Sequence, residues 1–168
     1  MKSIFKLLIA AFLTVAPLTA TAQSNVAHIN VQQLISEMPE VIAAQNELAK
    51  LEKDYTTQID NAFKEFQTKA QSYSSDAANQ TDVTNQARQK ELESMQTNLQ
   101  EFRDSAAQEL QKKQMDLMTP LLEKARNAIT KVGEEQGFNY VIDSSPNGGI
   151  ILANGKDLLA DVKKELGF

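Results

Sequence analysis

The chain of 168 residues carries 17 Lys and Arg against 22 Asp and Glu, a formal charge of −5, and it has no Cys and no Trp. Without Cys it can build neither a disulfide scaffold nor a Cys-based zinc site, and it offers no N-terminal cysteine for acylation. The negative balance argues against nucleic-acid binding, which needs a basic face to neutralise phosphate.

Lys2 and Lys6 begin the chain, Leu7 to Val15 is an apolar run, and Ala20-Thr21-Ala22 is a small-x-small cleavage site. These are the three parts of a secretory signal peptide, predicted over residues 1–22. The apolar run falls short of the ~20 residues that span a bilayer, so an export signal is favoured over an anchor. Cleavage after Ala22 leaves 146 residues and removes both lysines, taking the charge from −5 to −7. An exported chain with no thiol to mispair suits an oxidising compartment such as a bacterial periplasm.

Val26 to Val31 alternates around β-branched residues and reads as a strand. A short helix over Gln32 to Met38 follows, with Asn30 as its N-cap, and Pro39 suits the first turn of a new helix. From Pro39 to about Ser75 the apolar positions are Val41, Ala44, Leu48, Leu51, Tyr55, Ile59, Ala62, Phe66, Ala70 and Tyr73. Their mean step of about 3.6 residues predicts a long amphipathic helix with one narrow seam. Residues 74–82 are small and polar and read as a turn. A second helix from about Thr81 to Gln136 carries Leu92, Met95, Leu99, Phe102, Ala106 and Leu110 on its seam. Leu117, Leu121, Ala125, Ile129 and Val132 continue it. No glycine precedes Gly133, as expected of long helices, and Gly137 is the natural stop.

Two helices joined by a short polar loop fold back as an antiparallel hairpin. A tip near residue 78 sets Tyr73 against Val83, Phe63 against Leu92, Ile59 against Met95 and Tyr55 against Phe102. Pro120 then lies close to the start of the first helix, where a bend is expected. Beyond it, Phe138 to Asp143 reads as a strand, Pro146-Asn147-Gly148-Gly149 as a turn, and Ile150-Ile151-Leu152 as another strand. Asn154-Gly155 is a further turn and Asp157 to Leu166 a short helix. The expected class is therefore mainly α with a small β body. The body is drawn from residues 23–38 and 121–168, and a helical arm over 39–120 projects from it.

Catalytic patterns are sparse. His28 is the only histidine, placed on a strand with no motif around the candidate serines, and reads as a strand residue that packs or sits at an interface. Gly148-Gly149 and Gly155-Lys156 resemble phosphate loops only superficially, and no carboxylates show calcium-loop spacing. No enzyme activity, cofactor or metal is expected. The arm is more informative. Residues 39–120 hold 9 basic and 14 acidic side chains, interspersed as on a solvated helix surface. Phe63 beside Phe66 widens the apolar stripe beyond one seam, and Met95, Met115 and Met118 add adaptable contacts of the kind used on promiscuous surfaces. Part of this surface is expected to face another subunit or a partner.

The run Val26-Ala27-His28-Ile29-Asn30-Val31-Gln32-Gln33-Leu34-Ile35-Ser36-Glu37-Met38-Pro39-Glu40, with Ala44 to Leu48 and Leu51-Glu52-Lys53 after it, resembles the opening of the Skp-like (OmpH) family of periplasmic chaperones. So do Pro120-Leu121-Leu122, Lys124, Ala128-Ile129, Val132, Gly137 to Asp143, and Asp157 to Val162. The resemblance covers essentially the whole mature chain. It implies a homotrimer whose strands build a central body, with three hairpins projecting around a cavity. It also implies an ATP-independent holdase for unfolded outer-membrane β-barrel proteins in the periplasm. On that basis Val26, Ile29, Val31, Val141, Ile142, Ile150 and Leu152 are the candidate oligomerisation residues. Phe63, Phe66, Met95, Phe102, Met115 and Met118 are the candidate client contacts, and Pro39 and Pro120 the candidate hinges. The chain departs from the family's well-studied basic members in being acidic, which argues against binding lipid or lipopolysaccharide. The rival expectation is a non-catalytic coiled-coil spacer or adaptor of the periplasm.

Overall fold

The computed structural model of the protein describes residues 25–146 and 148–168, so the expected signal peptide at 1–22 lies outside the described residues, as does Asn147 of the expected turn. Strand β1 (Val26–Ile29) leads into helix α1 (Val31–Glu37), and helix α2 (Pro39–Asp76) starts immediately after Met38. A 3-10 turn over Ala77–Asn79 reverses the chain into helix α3 (Asp82–Glu135). Strand β2 (Tyr140–Asp143), strand β3 (Lys156–Asp157) and helix α4 (Leu159–Leu166) complete it.

The expected local signals act where they were placed. Asn30 caps α1, its side chain accepting from the Gln33 amide at 2.9 Å, and Pro39 opens α2 at a position whose N–H would lack a partner in any case. Gly137 ends α3 at φ +73°. The Phe138 amide reaches back to the Gly133 carbonyl (2.9 Å) and the Gly137 amide to the Glu134 carbonyl (3.0 Å), satisfying carbonyls at the helix end. Pro120 sits inside α3, which continues through it.

All ten predicted seam positions of α2 and all eleven of α3 are buried or half-buried. At about 1.5 Å per residue, α2 is about 57 Å long. The reversal lies later than expected, because α2 runs on to Asp76. Cross-helix partners such as Lys69–Glu91 and Glu47–Lys113 have residue numbers summing to 160, and Asp76–Arg88 and Glu40–Lys124 to 164, against the expected 156. Tyr73 therefore meets Glu91, and Val83 is left 76% exposed at the tip. Tyr55 does meet Phe102, edge to face, with ring centroids 6.0 Å apart.

The body is a three-stranded parallel sheet in the order β2-β1-β3. Val26 pairs with Tyr140 and Ile29 with Asp143, while Ala27 and His28 pair with Lys156 and Asp157. The expected strand at Ile150-Ile151-Leu152 does not form. That segment is irregular, and the place beside β1 is taken by the residues after Gly155. Gly155 permits this because a Cβ there would lie 2.9 Å from the Val26 carbonyl oxygen.

Alternation along β1 buries Ala27 and Ile29 on one face and leaves Val26 and His28 half-buried on the other. Ala27 and Ile29 pack with Leu34, Met38 and Val41, with Ala125, Ala128 and Val132 of α3, and with Leu158 and Val162 of the tail. Both ends of the arm thus enter the core: Val41 belongs to it, and Met118 packs against it.

Candidate functional site

The arm has a layered surface. Near its base Glu47 pairs with Lys113 (2.7 Å) and Glu40 with Lys124, and the Tyr55 hydroxyl donates to Glu109. Midway, Leu99 and Ala106 are buried between the helices. Toward the tip the packing becomes polar. Glu91 accepts from Lys69 (2.6 Å) and from the Tyr73 hydroxyl (2.7 Å). The Arg88 guanidinium lies 4.7 Å from the Tyr73 ring centroid and pairs with Asp76 at 3.1 Å. Lys69, then the Tyr73 hydroxyl, hold the Glu91 carboxyl below its ordinary pKa. Arg88 does the same to Asp76, and Glu91 in turn raises Tyr73. This cluster closes the end of the hairpin where small residues leave little apolar area to bury.

The six candidate client contacts do not form one continuous face. Phe63 is 40% exposed and Met115 55% exposed. Phe66, Met95 and Phe102 are half-buried in the seam, and Met118 supports the body core rather than lying open. Phe63 and Phe66 do share a slot of about 450 Å³ with Leu99, Gln96 and Gln100 of α3. Its opening lies mid-arm, between body and tip.

The body presents a second apolar surface. Tyr140 (62%), Ile142 (40%), Ile150 (38%), Leu152 (75%) and Ile151 (102%) are all exposed. Tyr140 and Ile151 were not singled out as candidates. Their signal was available in the sequence as strand-like apolar residues, but their exposure depends on which strand occupies the edge of the sheet. Ile29 was expected at a subunit contact; it lies 1% exposed inside its own core, because alternation turns it toward α3. Val26 is half-buried, and Val31 and Val141 pack half-buried against the core. Val31 and Val141 also line a cleft of about 620 Å³ with Ile35, Leu122, Ile129 and Phe138, with Arg126 at its wall.

The polar groups of the body act as fasteners. His28 Nε2 lies 3.2 Å from the Gly155 carbonyl, to which it donates, and Nδ1 lies 3.2 Å from Ser144 Oγ. The ring thereby straps the turns on either side of β1, in keeping with a packing histidine. Ser145, 7% exposed, donates to Asp143 Oδ1 (2.5 Å) and accepts from the Gln32 amide (3.0 Å). Asp143 also accepts from the Ser145 amide (2.9 Å) and the Val31 amide (3.3 Å). The Ser145 hydroxyl is the main cause that holds the Asp143 carboxyl below its ordinary pKa. Among the described residues, no group of three or more His, Cys, Asp or Glu side chains is placed to hold a metal, and no helix is long and apolar enough to cross a membrane.

The architecture is a small parallel-sheet body carrying one long antiparallel helical arm, with apolar side chains exposed on both parts. The chain belongs to the OmpH-like outer membrane protein family, which it matches over residues 25–166. It is 28% identical to a chaperone protein Skp of Yersinia enterocolitica, over 92% of this chain and 93% of that one. It is 20% identical to a chaperone protein Skp of Pectobacterium atrosepticum, over 90% of each. Its fold matches the crystal structure of an OmpH-like protein from Caulobacter crescentus CB15 with a TM-score of 0.77, at 12% identity, over 86% of this chain and 85% of that one. The resemblance to the Skp-like family and the mainly α fold with a small β body are thus borne out.

Proposed function

We propose that the protein is an ATP-independent holdase of the periplasm, which binds unfolded outer-membrane β-barrel proteins in transit and keeps them from aggregating. The observation that supports this reading is the exposure of apolar side chains on the body, Tyr140 and Ile142 of β2 and Ile150, Ile151 and Leu152 before β3. Covering these side chains by self-association would set several arms side by side around a space. The names of the Yersinia and Pectobacterium relatives support the same role.

On this reading three copies assemble through the sheet and the 150–152 segment, and the arms form a cage. Clients are held by many weak contacts and leave as they fold into a membrane, burying the surface the cage had covered. Pro39 and Pro120 act as hinges where the arm leaves the body. Replacing Pro120 with Ala restores the missing amide within α3, stiffens the arm and narrows the range of client sizes.

The test is to dilute a urea-unfolded β-barrel protein into the mature chain and weigh the soluble species by light scattering after gel filtration. Three protomers with one client are expected. Loss of the client to the pellet, with the chain eluting alone, would refute the reading.

A further inference from the structure

The slot midway along the arm has a charge setting that its apolar lining does not require. Phe63 stands 40% exposed at its rim, Leu99 is 8% exposed at its base, and the opening of about 450 Å³ is within the usual range for ligand pockets, about 300–1,000 Å³. The helix segments that flank it, residues 59–67 and 92–104, contain five carboxylates (Asp60, Glu65, Glu93, Glu101 and Asp104) and two cations, Lys64 and Arg103. Of the five, only Glu65 has an ion-pair partner within 4.0 Å among the described residues, Lys69 at 3.8 Å. Glu93 and Asp104 instead accept from the neutral side-chain amides of Gln89 (3.1 Å) and Gln100 (3.0 Å). Those bonds fix the carboxylates in place without cancelling their charge, and Gln100 itself lines the slot. Arg103, also on the lining, is the one cation aimed at it, so the surroundings keep a net charge of −3.

We propose that this slot takes an extended polypeptide segment in which a bulky apolar residue is flanked by Lys or Arg. The apolar side chain sits against Phe63, Phe66 and Leu99, and the flanking cations reach the carboxylates one helical turn above and below. Two rows of acceptors on adjacent helices also discriminate against acidic segments, whose like charges would be brought within a Debye length of Glu93 and Asp104. The proposal rests on the holdase reading and narrows its client class to cationic stretches of unfolded chain.

The test uses the full mature chain and fluorescein-labelled peptides with one Leu-Phe-Leu core, flanked by Lys in one peptide and by Glu in the other, followed by anisotropy. The Lys-flanked peptide is expected to bind about tenfold more tightly at low salt, and the gap to close at high salt. Neutralising Asp60→Asn, Glu93→Gln and Asp104→Asn together is expected to abolish the preference, while Phe63→Ser weakens both peptides. All four side chains are exposed, and circular dichroism is recorded for each variant to check that it stays folded. Equal affinities, a preference for Glu, or a Lys preference that survives neutralisation would overturn the proposal. Soluble complexes with an unfolded β-barrel protein are measured in the same preparation. A chain that holds the client yet shows no peptide preference overturns this inference alone, whereas a chain that fails to hold the client overturns the holdase reading.

Discussion

Gly133 of α3 faces Val141 of β2 so closely that a Cβ at Gly133 would lie 2.8 Å from Val141 Cγ2. The contact seats the last turns of the 54-residue helix directly on the sheet, and so fixes how the arm leaves the body. Replacing Gly133 with Ala gains helix propensity of up to about 1 kcal/mol, but overpacking of a β-branched neighbour costs about 1–3 kcal/mol. The net expectation is a loss of about 1 kcal/mol, read as a lower urea midpoint. Val141→Ala in the Gly133→Ala background should recover part of it, because the colliding methyl is gone. A Gly133→Ala variant as stable as the parent would mean that the helix and sheet can separate at no cost.

Ser145 joins the end of β2 to the start of α1. Removing its hydroxyl (Ser145→Ala) leaves the Gln32 amide without its acceptor, at a cost of about 1–2 kcal/mol. It also removes the main cause of the lowered Asp143 pKa. A carboxylate held below its unfolded value stabilises the fold above that value, near 3.8, and loses its contribution as pH falls through the folded value. The parent should therefore lose more stability than Ser145→Ala between neutral pH and pH 3, by urea titration at each. Parallel losses would show that the Ser145 hydroxyl's bond to Asp143 is not a source of acid sensitivity.

Ile151 is 102% exposed and touches nothing its own fold depends on. Ile151→Asp should leave the helical circular dichroism unchanged, yet bury a charge at the proposed subunit contact and drive the assembly apart. The light-scattering mass should fall from three protomers toward one. A variant that keeps the parent's mass would place the 150–152 segment outside the contact.

The arm was legible in the sequence because its signal is long. More than twenty seam positions at helical spacing outvote any local ambiguity, and each of them is buried or half-buried. Caps such as Asn30 and Gly137 are equally local and were equally readable. The third strand was not. Lys156 and Asp157 have neither alternation nor apolar side chains, and their pairing with Ala27 and His28 is decided by the space Gly155 leaves at Val26. Ile150-Ile151-Leu152 looks like a buried strand by composition, but within this chain it pairs with no strand and stays exposed. The Tyr73–Glu91–Lys69 and Arg88–Asp76 contacts at the tip were missed for a related reason. A shift of a few residues in the hairpin register is invisible to a 3.6-residue period, yet it decides which polar groups meet. The Ser145 knot pairs residues more than 110 positions apart, and no local pattern announces it.

As a holdase of the kind proposed, the assembled chain shields unfolded protein without an energy source. The most direct measurement is the turbidity of a urea-unfolded β-barrel protein diluted into buffer with a modest excess of the mature chain, and no nucleotide. Suppressed turbidity is expected, with suppression lost in the Ile151→Asp variant once it dissociates. Turbidity that develops as fast with the assembled parent chain as without it would refute the holdase function.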